Sequence, residues 1–220
     1  MPAGPNGRPD PYQEVRDALL SRLSRGRVLD VGCGDGTLVA QLRVDGFEAY
    51  GIDLREPEGP FCERRAIEEF VADSPFDAVV SRVSLHHVHA LGAAFERMRV
   101  ALRAGGTFVV QEFDWTAFSP GMLGWIRQNV ERPGTEPRTV DLWSGDFAEV
   151  ARRWTARYGE LHAWDAIRFA SDAFFAHVGT APAAYVTWIL DRSDLLEMER
   201  SALRSGALAP FAHVYVGEAV

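Results

Sequence analysis

Residues 28–37, Val-Leu-Asp-Val-Gly-Cys-Gly-Asp-Gly-Thr, place three glycines at alternate positions between a short apolar run and an amphipathic one (Leu38, Val39, Ala40, Leu42). An apolar run that breaks on glycines and resumes with helical spacing is a strand turning into a helix. Glycine at such a turn lets the backbone take positive φ and approach a ligand closely. The free N–H groups of the next helix's first turn face the same ligand.

The chain around this turn alternates in a regular way. Residues 11–25 predict a helix, with Val15, Leu19 and Leu23 on one face and Gly26 behind it. Residues 28–31 predict a strand, 37–44 a helix, and 47–54 a second strand with Asp53 near its end. A helical crossover this short implies parallel strands. Residues 67–72 make a short helix at best and 76–81 a buried strand. Residues 91–104 form an amphipathic helix (Leu91, Phe95, Met98, Leu102) closed by Gly105 and Gly106, and 107–112 the next strand. The pattern predicts an α/β fold, doubly wound about a mostly parallel sheet.

Beyond residue 113 the character changes. All six tryptophans fall between Trp115 and Trp188, and residues 119–141 are rich in Pro and Gly around one short helix at 122–130. That stretch reads either as a substrate-facing cover or as a surface loop stapled by aromatics. Residues 144–158 return to helix, with Phe147, Val150, Ala151 and Trp154 on one face and Gly159 as the stop. Residues 161–169 and 211–220 alternate like strands, with helices expected between them around 172–178, 182–190 and 195–204. No repeat or linker splits the chain. The expectation is a single domain over 1–220: a leader and helix (1–26), a ligand-binding half (27–113), and a substrate-side half with a helical insertion (114–220).

Composition removes several classes of function. At 220 residues, 47% hydrophobic and 25% charged, the chain suits a globular protein with one core. It has no run of about 18 apolar residues to span a membrane. Its first ten residues read as a mobile leader without the apolar core of a signal peptide, so a cytoplasmic protein is expected. Cys33 and Cys62 have neither CxxC nor metal-ligand spacing, and free thiols are expected. A net charge of -8 disfavours a nucleic-acid partner. All 23 basic residues are arginine, which excludes a Schiff-base lysine and the phosphate loop GxxxxGK[ST].

The chemistry of the turn is more specific. Asp53, at the end of the second strand, can accept hydrogen bonds from both hydroxyls of a ribose. With the glycine turn it describes an adenosine-containing ligand. The dinucleotide fingerprint GxGxxG requires glycine at 37, where Thr37 stands. Asp30, two residues before the first glycine, suits a ligand bearing an ammonium or sulfonium and repels pyrophosphate. Charge therefore favours S-adenosylmethionine over NAD.

The string VLDVGCGDGT, followed by GIDL, FDAVV and LRAGGTFVV, resembles the class I, seven-stranded S-adenosylmethionine-dependent methyltransferases over residues 27–113. The resemblance implies a sheet ordered 3-2-1-4-5-7-6 with the last strand antiparallel, helices on both faces and a helical cover inserted between the last strands. Residues 161–169 and 211–220 are the candidates for those last strands. It also implies that Asp30 and the backbone of Gly32, Cys33, Gly34 and Gly36 hold the methionine end of the cofactor, and that Asp53 holds its ribose. Leu54 would flank the adenine, Ala66 and Ile67 would meet its edge and face, and the backbone near Ser81 would meet its amino group.

His86 and His87 follow the strand at 76–81, which by the resemblance is the fourth of the sheet and in this family borders the methyl group. Either one takes a proton from an acceptor hydroxyl at neutral pH, or they only shape the pocket or bind cofactor. A metal site at His86, His87 and His89 is disfavoured, because adjacent side chains diverge and no acidic partner stands nearby in sequence. Residues 81–84 lack the Asp of metal-dependent catechol methyltransferases. They also lack the Asn/Asp-Pro-Pro-aromatic signature of enzymes that methylate base or glutamine amino groups, and the Pro-Cys of cytosine-C5 enzymes is absent. Glu112 and Asp114, after the strand at 107–112, either orient substrate or serve only as a helix cap or a solvated surface. Trp115, Phe118, Trp125, Trp143 and Trp188 either wall a partly apolar acceptor or pack the inserted helices, and Arg127, Arg138 and Arg168 are candidates to bind a carboxylate. The expected protein is a small-molecule methyltransferase, O-methylation first and N- or C-methylation as alternatives, acting as a monomer or homodimer. Its rivals are a non-methylating S-adenosylmethionine-binding domain and an NAD-dependent oxidoreductase.

Overall fold

A computed structural model of the protein describes residues 10–55, 59–130, 143–190 and 192–220. They form two compact units. The first comprises Tyr12–Glu112, Trp164–Ala181 and Val214–Val220, and the second includes Phe113–Ala163 and Pro182–His213. The leader expected over residues 1–10 lies outside the described residues, apart from Asp10.

Strands β1 (Arg27–Val31), β2 (Glu48–Asp53), β3 (Cys62–Arg64), β4 (Phe76–Arg82), β5 (Leu102–Phe113), β6 (Phe175–Ala183) and β7 (Ala212–Ala219) make one seven-stranded sheet. Its order is β3-β2-β1-β4-β5-β7-β6, with β7 antiparallel, as the resemblance implied. The pairs β2–β3, β1–β2, β1–β4 and β4–β5 are parallel. Helices α1 (Gln13–Leu20), α2 (Thr37–Val44), α3 (Leu91–Ala101) and α6 (Trp164–Phe174) belong to the first unit.

Residues 28–31 read as one apolar run because a parallel strand covered on both faces has no wet side, and Val28, Leu29, Asp30 and Val31 are all buried. Leu29, Val79, Phe108 and Val110 share a core with Phe95 and Met98 of α3 and Ile167 of α6. The Phe108 ring stacks on Phe175 at 4.2 Å. Val28, Ala78, Val80 and Val109 alternate with them and are as deeply buried, so the other face of the sheet is covered too.

Several boundaries differ from expectation. Helix α1 stops at Leu20, and α3 stops at Ala101, because Leu102 already pairs with Phe76 as strand. The register between β4 and β5 then slips, and β5 absorbs the extra residues around Gly105, at φ +67. The short strand β3 was not visible in the residues. The strand expected at 161–169 is a correction: Trp164, Ile167 and Ser171 are buried at helical spacing, and the segment is α6. Arg168 is bracketed there by Asp165 and Asp172, three and four residues away. The helix expected at 172–178 is likewise corrected, since α6 gives way at Phe175 to β6. Among the described residues no helix is long and apolar enough to cross a membrane.

The second unit is packed on aromatic rings. Helix α4 (Pro120–Val130) precedes α5 (Phe147–Tyr158), which opens on a capping box between Asp146 and Glu149 and buries Val150 and Trp154. Phe118 stacks on Phe147 at 5.6 Å and on Trp154 at 5.1 Å. The Trp154 indole donates to the Trp115 carbonyl at 2.7 Å. The helix expected over 182–190 is a single turn, α7 (Val186–Ile189), followed by α8 (Leu196–Ser205). That turn is held by the Glu199 carboxylate, 1% exposed, which accepts the N–H groups of Tyr185, Val186 and Thr187 at 2.8 Å each. Truncating Glu199 strands three buried donors. Glu199→Ala is therefore expected to lower unfolding stability by about 3 kcal/mol in urea titration, with a smaller loss for Glu199→Gln, which keeps an acceptor oxygen.

Candidate functional site

The carboxyl ends of β2, β1, β4 and β5 lie side by side, and the candidate residues of the first unit gather there. Gly32, Gly34 and Gly36 take φ of +78, +56 and +76, a conformation other residues adopt only at a cost. At Gly32 crowding adds to the requirement, because a Cβ would come within 2.2 Å of the Ser84 side chain. A Cβ on Gly34 would meet nothing within 4 Å, so this peptide faces open space. The turn is tied to β2 by the N–H groups of Gly32 and Cys33, which both donate to the Ile52 carbonyl at 2.8 and 3.1 Å. Gly36 is the N-cap of α2.

Asp53 closes the same turn from the side. One carboxylate oxygen accepts from Gly34 N at 2.9 Å and the other from Arg55 N at 2.8 Å. Each oxygen keeps a lone pair for a further donor. Leu54, beside it, is 67% exposed. Ala66 is half-buried and caps the turn Ile67–Glu69, whereas the Ile67 side chain lies in the core cluster. The Cys33 side chain packs over Gly51, on the β2 side, and what the turn's open face presents of this residue is its backbone. Both cysteines are free thiols, and burial pushes both upward in pKa.

Asp30 is the outlier of the sheet. It is 2% exposed on β1, and its carboxyl accepts no hydrogen bond among the described residues. Burial first, then the neighbouring charges of Asp53 and Asp35, push its carboxyl up to about 8, with Arg82 opposing them.

The loop after β4 is sewn to the turn and to β5. The hydroxyls of Ser81 and Ser84 lie 2.7 Å apart, and both donate to the Val31 carbonyl at 2.9 Å. Val83 N donates to the Gln111 carbonyl at 2.8 Å, and Val83 itself sits at φ +52, a strained position for a β-branched residue. Glu112, fully buried, accepts from Ser84 N at 2.8 Å, Leu85 N at 2.7 Å and His86 N at 3.4 Å with one oxygen. Its other oxygen lies 2.7 Å from His86 Nδ1. His86 is buried, His87 is exposed, and their rings lie 4.2 Å apart. Partial burial and the neighbouring His86 lower the His87 pKa below its usual value. Arg55 acts in the same direction, and only Glu112 opposes them.

Other candidates have structural employment. Asp114 caps the turn Trp115–Ala117 through Thr116 N and Oγ1, at 3.0 and 2.6 Å. Arg127 donates to the carbonyls of Trp143 and Gly145, and Arg168 is paired with aspartates of its own helix. Arg138 lies outside the described residues. Of the aromatic cover, Trp143 and Phe118 pack into the second unit's core, and Trp188, stacked on Tyr185 at 5.2 Å, is 53% exposed. Among the described residues no group of three or more His, Cys, Asp or Glu side chains is placed to hold a metal ion. Sequence reasoning missed Glu112 as the anchor of the histidine loop. Its signal was an acid at the end of an apolar strand, the same anomaly that marks Asp30.

A family model described as a methyltransferase domain matches residues 8–195. A protein named as an uncharacterised methyltransferase of Mycobacterium bovis is 36% identical over 130 residues, 52% of this chain and 66% of its own length. A demethylmenaquinone methyltransferase of Beutenbergia cavernae is 30% identical over 156 residues, 65% of each chain. The chain thus spans just under two thirds of the length of these relatives. In fold, it matches the 1,6-didemethyltoxoflavin-N1-methyltransferase of Burkholderia thailandensis, solved with its substrate and S-adenosylhomocysteine. That match has a TM-score of 0.55 and 17% identity over 96% of this chain and 77% of the other. Because the family match takes in every strand but the last, and the sheet has the order that family requires, the chain belongs to the class I S-adenosylmethionine-dependent methyltransferases.

Proposed function

We propose that the protein transfers a methyl group from S-adenosylmethionine to an oxygen of a small-molecule acceptor. The observation that carries the cofactor assignment is Asp30, a carboxyl buried without a hydrogen-bond partner among the described residues beside three positive-φ glycines. An unpaired buried carboxyl is costly, and a cation seated against it removes that cost. The ammonium or sulfonium of the cofactor's methionine end fits this requirement, and a pyrophosphate does not. Asp53, with a free lone pair on each oxygen, suits the ribose hydroxyls, and the open face of Gly34 leaves room for the ligand between them. Leu54, Ala66 and the backbone near Ser81 belong to the adenine end in this reading.

When bound, S-adenosylmethionine supplies an electrophilic methyl group. The protein's task is to align an acceptor in line with it and keep water out. A hydroxyl acceptor must also lose a proton. His87 is exposed and, with its pKa lowered, is neutral at pH 7 and able to take that proton, while His86 packs against its ring. The relatives named for demethylmenaquinone and 1,6-didemethyltoxoflavin support a small molecule as acceptor.

Calorimetry with S-adenosylhomocysteine tests the cofactor assignment, and binding of NADH alone would overturn it. Asp30 is protonated in the free protein near pH 7 and ionises beside the ligand's ammonium, so binding should release close to one proton. Titrations in buffers of different ionisation heat measure this, and Asp30→Asn should abolish the release. The same raised pKa makes the free protein lose stability as pH climbs from the usual 3.8 through about 8, because the folded state holds the proton longer. Turnover is tested by S-adenosylhomocysteine formation with a panel of phenol, amine and carbon acceptors. Tight cofactor binding without turnover would reject the enzymatic reading. With a hydroxyl acceptor, His87→Ala should lower kcat by roughly 10²–10⁴-fold and leave S-adenosylhomocysteine affinity intact. The acidic limb of the wild-type kcat/KM profile should fall below 6.5.

A further inference from the structure

Glu112 makes no contact that would recognise a substrate; its carboxylate is spent on the loop that carries the two histidines. One oxygen collects three successive backbone N–H groups, from Ser84 to His86, and the other meets the His86 ring at Nδ1. A carboxylate oxygen accepts hydrogen bonds, so the 2.7 Å contact is the geometry of a ring N–H at Nδ1 donating to Glu112. The loop cannot relax away from this arrangement. Val83 is held at φ +52 between its N–H bond to Gln111 and the Ser84 contacts to Val31 and Glu112, and Ser84 occupies the space that Gly32 leaves vacant. His87 follows directly, its ring against that of His86.

We propose that Glu112 is a positioning residue for methyl transfer, fixing His86 as its Nδ1–H tautomer and thereby holding the His86–His87 ring pair in one orientation beside the glycine turn. The proposal rests on the methyltransferase reading above but concerns a proton whose place can be measured without turnover. Glu112→Gln separates the two things the carboxylate does. Its amide oxygen can still accept the loop's N–H groups, while its NH₂ group faces Nδ1 as a donor and drives the ring proton to Nε2.

The experiment is ¹⁵N NMR of the histidine-labelled full chain at pH 7.5, with the His86 signals identified by their loss in His86→Gln. The expected wild-type spectrum has a protonated Nδ1 and an unprotonated Nε2. A wild-type His86 protonated on Nε2, or on both nitrogens, overturns the proposal without reference to any variant. In Glu112→Gln the tautomer should invert, with S-adenosylhomocysteine affinity within about twofold of wild type. An unchanged tautomer in the folded variant also overturns it. With catechol as probe acceptor, kcat of Glu112→Gln should fall by about 100-fold or more with KM little changed, and equal turnover counts against the proposal. Failure of the wild-type protein to methylate any acceptor, with the Nδ1–H tautomer observed, would count against the proposed function and not against the role of Glu112 in setting the tautomer.

Discussion

At the carboxyl edge of a parallel sheet the strands run out of ladder partners, and the backbone groups there must be satisfied by something else. In this protein that need shapes the whole candidate site. The Ile52 carbonyl takes the first two N–H groups of the glycine turn, the Val31 carbonyl takes two serine hydroxyls, and the Gln111 carbonyl takes Val83 N–H. Each of these bonds crosses from one strand end to a neighbouring loop. Together they hold the glycine turn and the histidine loop in one fixed arrangement, including the strained backbone of Val83.

Of the acids buried among the described residues, Asp30, Glu112 and Glu199 stand where an apolar residue would be the default, and they meet the cost of burial in different ways. Glu112 and Glu199 are satisfied by backbone N–H groups and act as anchors, one for the histidine loop and one for a single helical turn. Asp30 has no such partner among the described residues, and burial pushes its carboxyl toward the neutral form. The contrast is physically informative. A satisfied buried acid stabilises the fold, whereas an unsatisfied one beside an open backbone marks a place for a cation.

Much of the fold was legible because the first half of the chain obeys its periods cleanly. Residues 28–31, 37–44 and 76–81 each show one pattern without competition, and β1, α2 and β4 stand where those patterns put them. The second half was harder. Over 161–169 the apolar residues satisfy period two and a helical spacing at once, and the burial of Trp164, Ile167 and Ser171 decided for the helix. The next strand, β6, is exposed along most of its length and so carries almost no hydrophobic pattern to read. The short strand β3 exposes two of its three residues and is recognisable only by its pairing with β2.

The sequence by itself determined the glycine turn, the acids at 30 and 53 and the alternation that forces a parallel sheet, because these depend on local spacing and on which residues tolerate positive φ. It also placed the two histidines after the fourth strand. The tertiary structure alone decided what each polar group does once there. That Glu112 holds the histidine loop and that the Asp30 carboxyl finds no hydrogen-bond partner among the described residues are facts of long-range approach between residues distant in the chain, and the local engagements of Asp114 and Arg168 show only once the turn and the helix that carry them have formed. No local period records which hydrogen bonds a buried carboxylate will find, since its partners arrive from other strands only when the sheet is assembled.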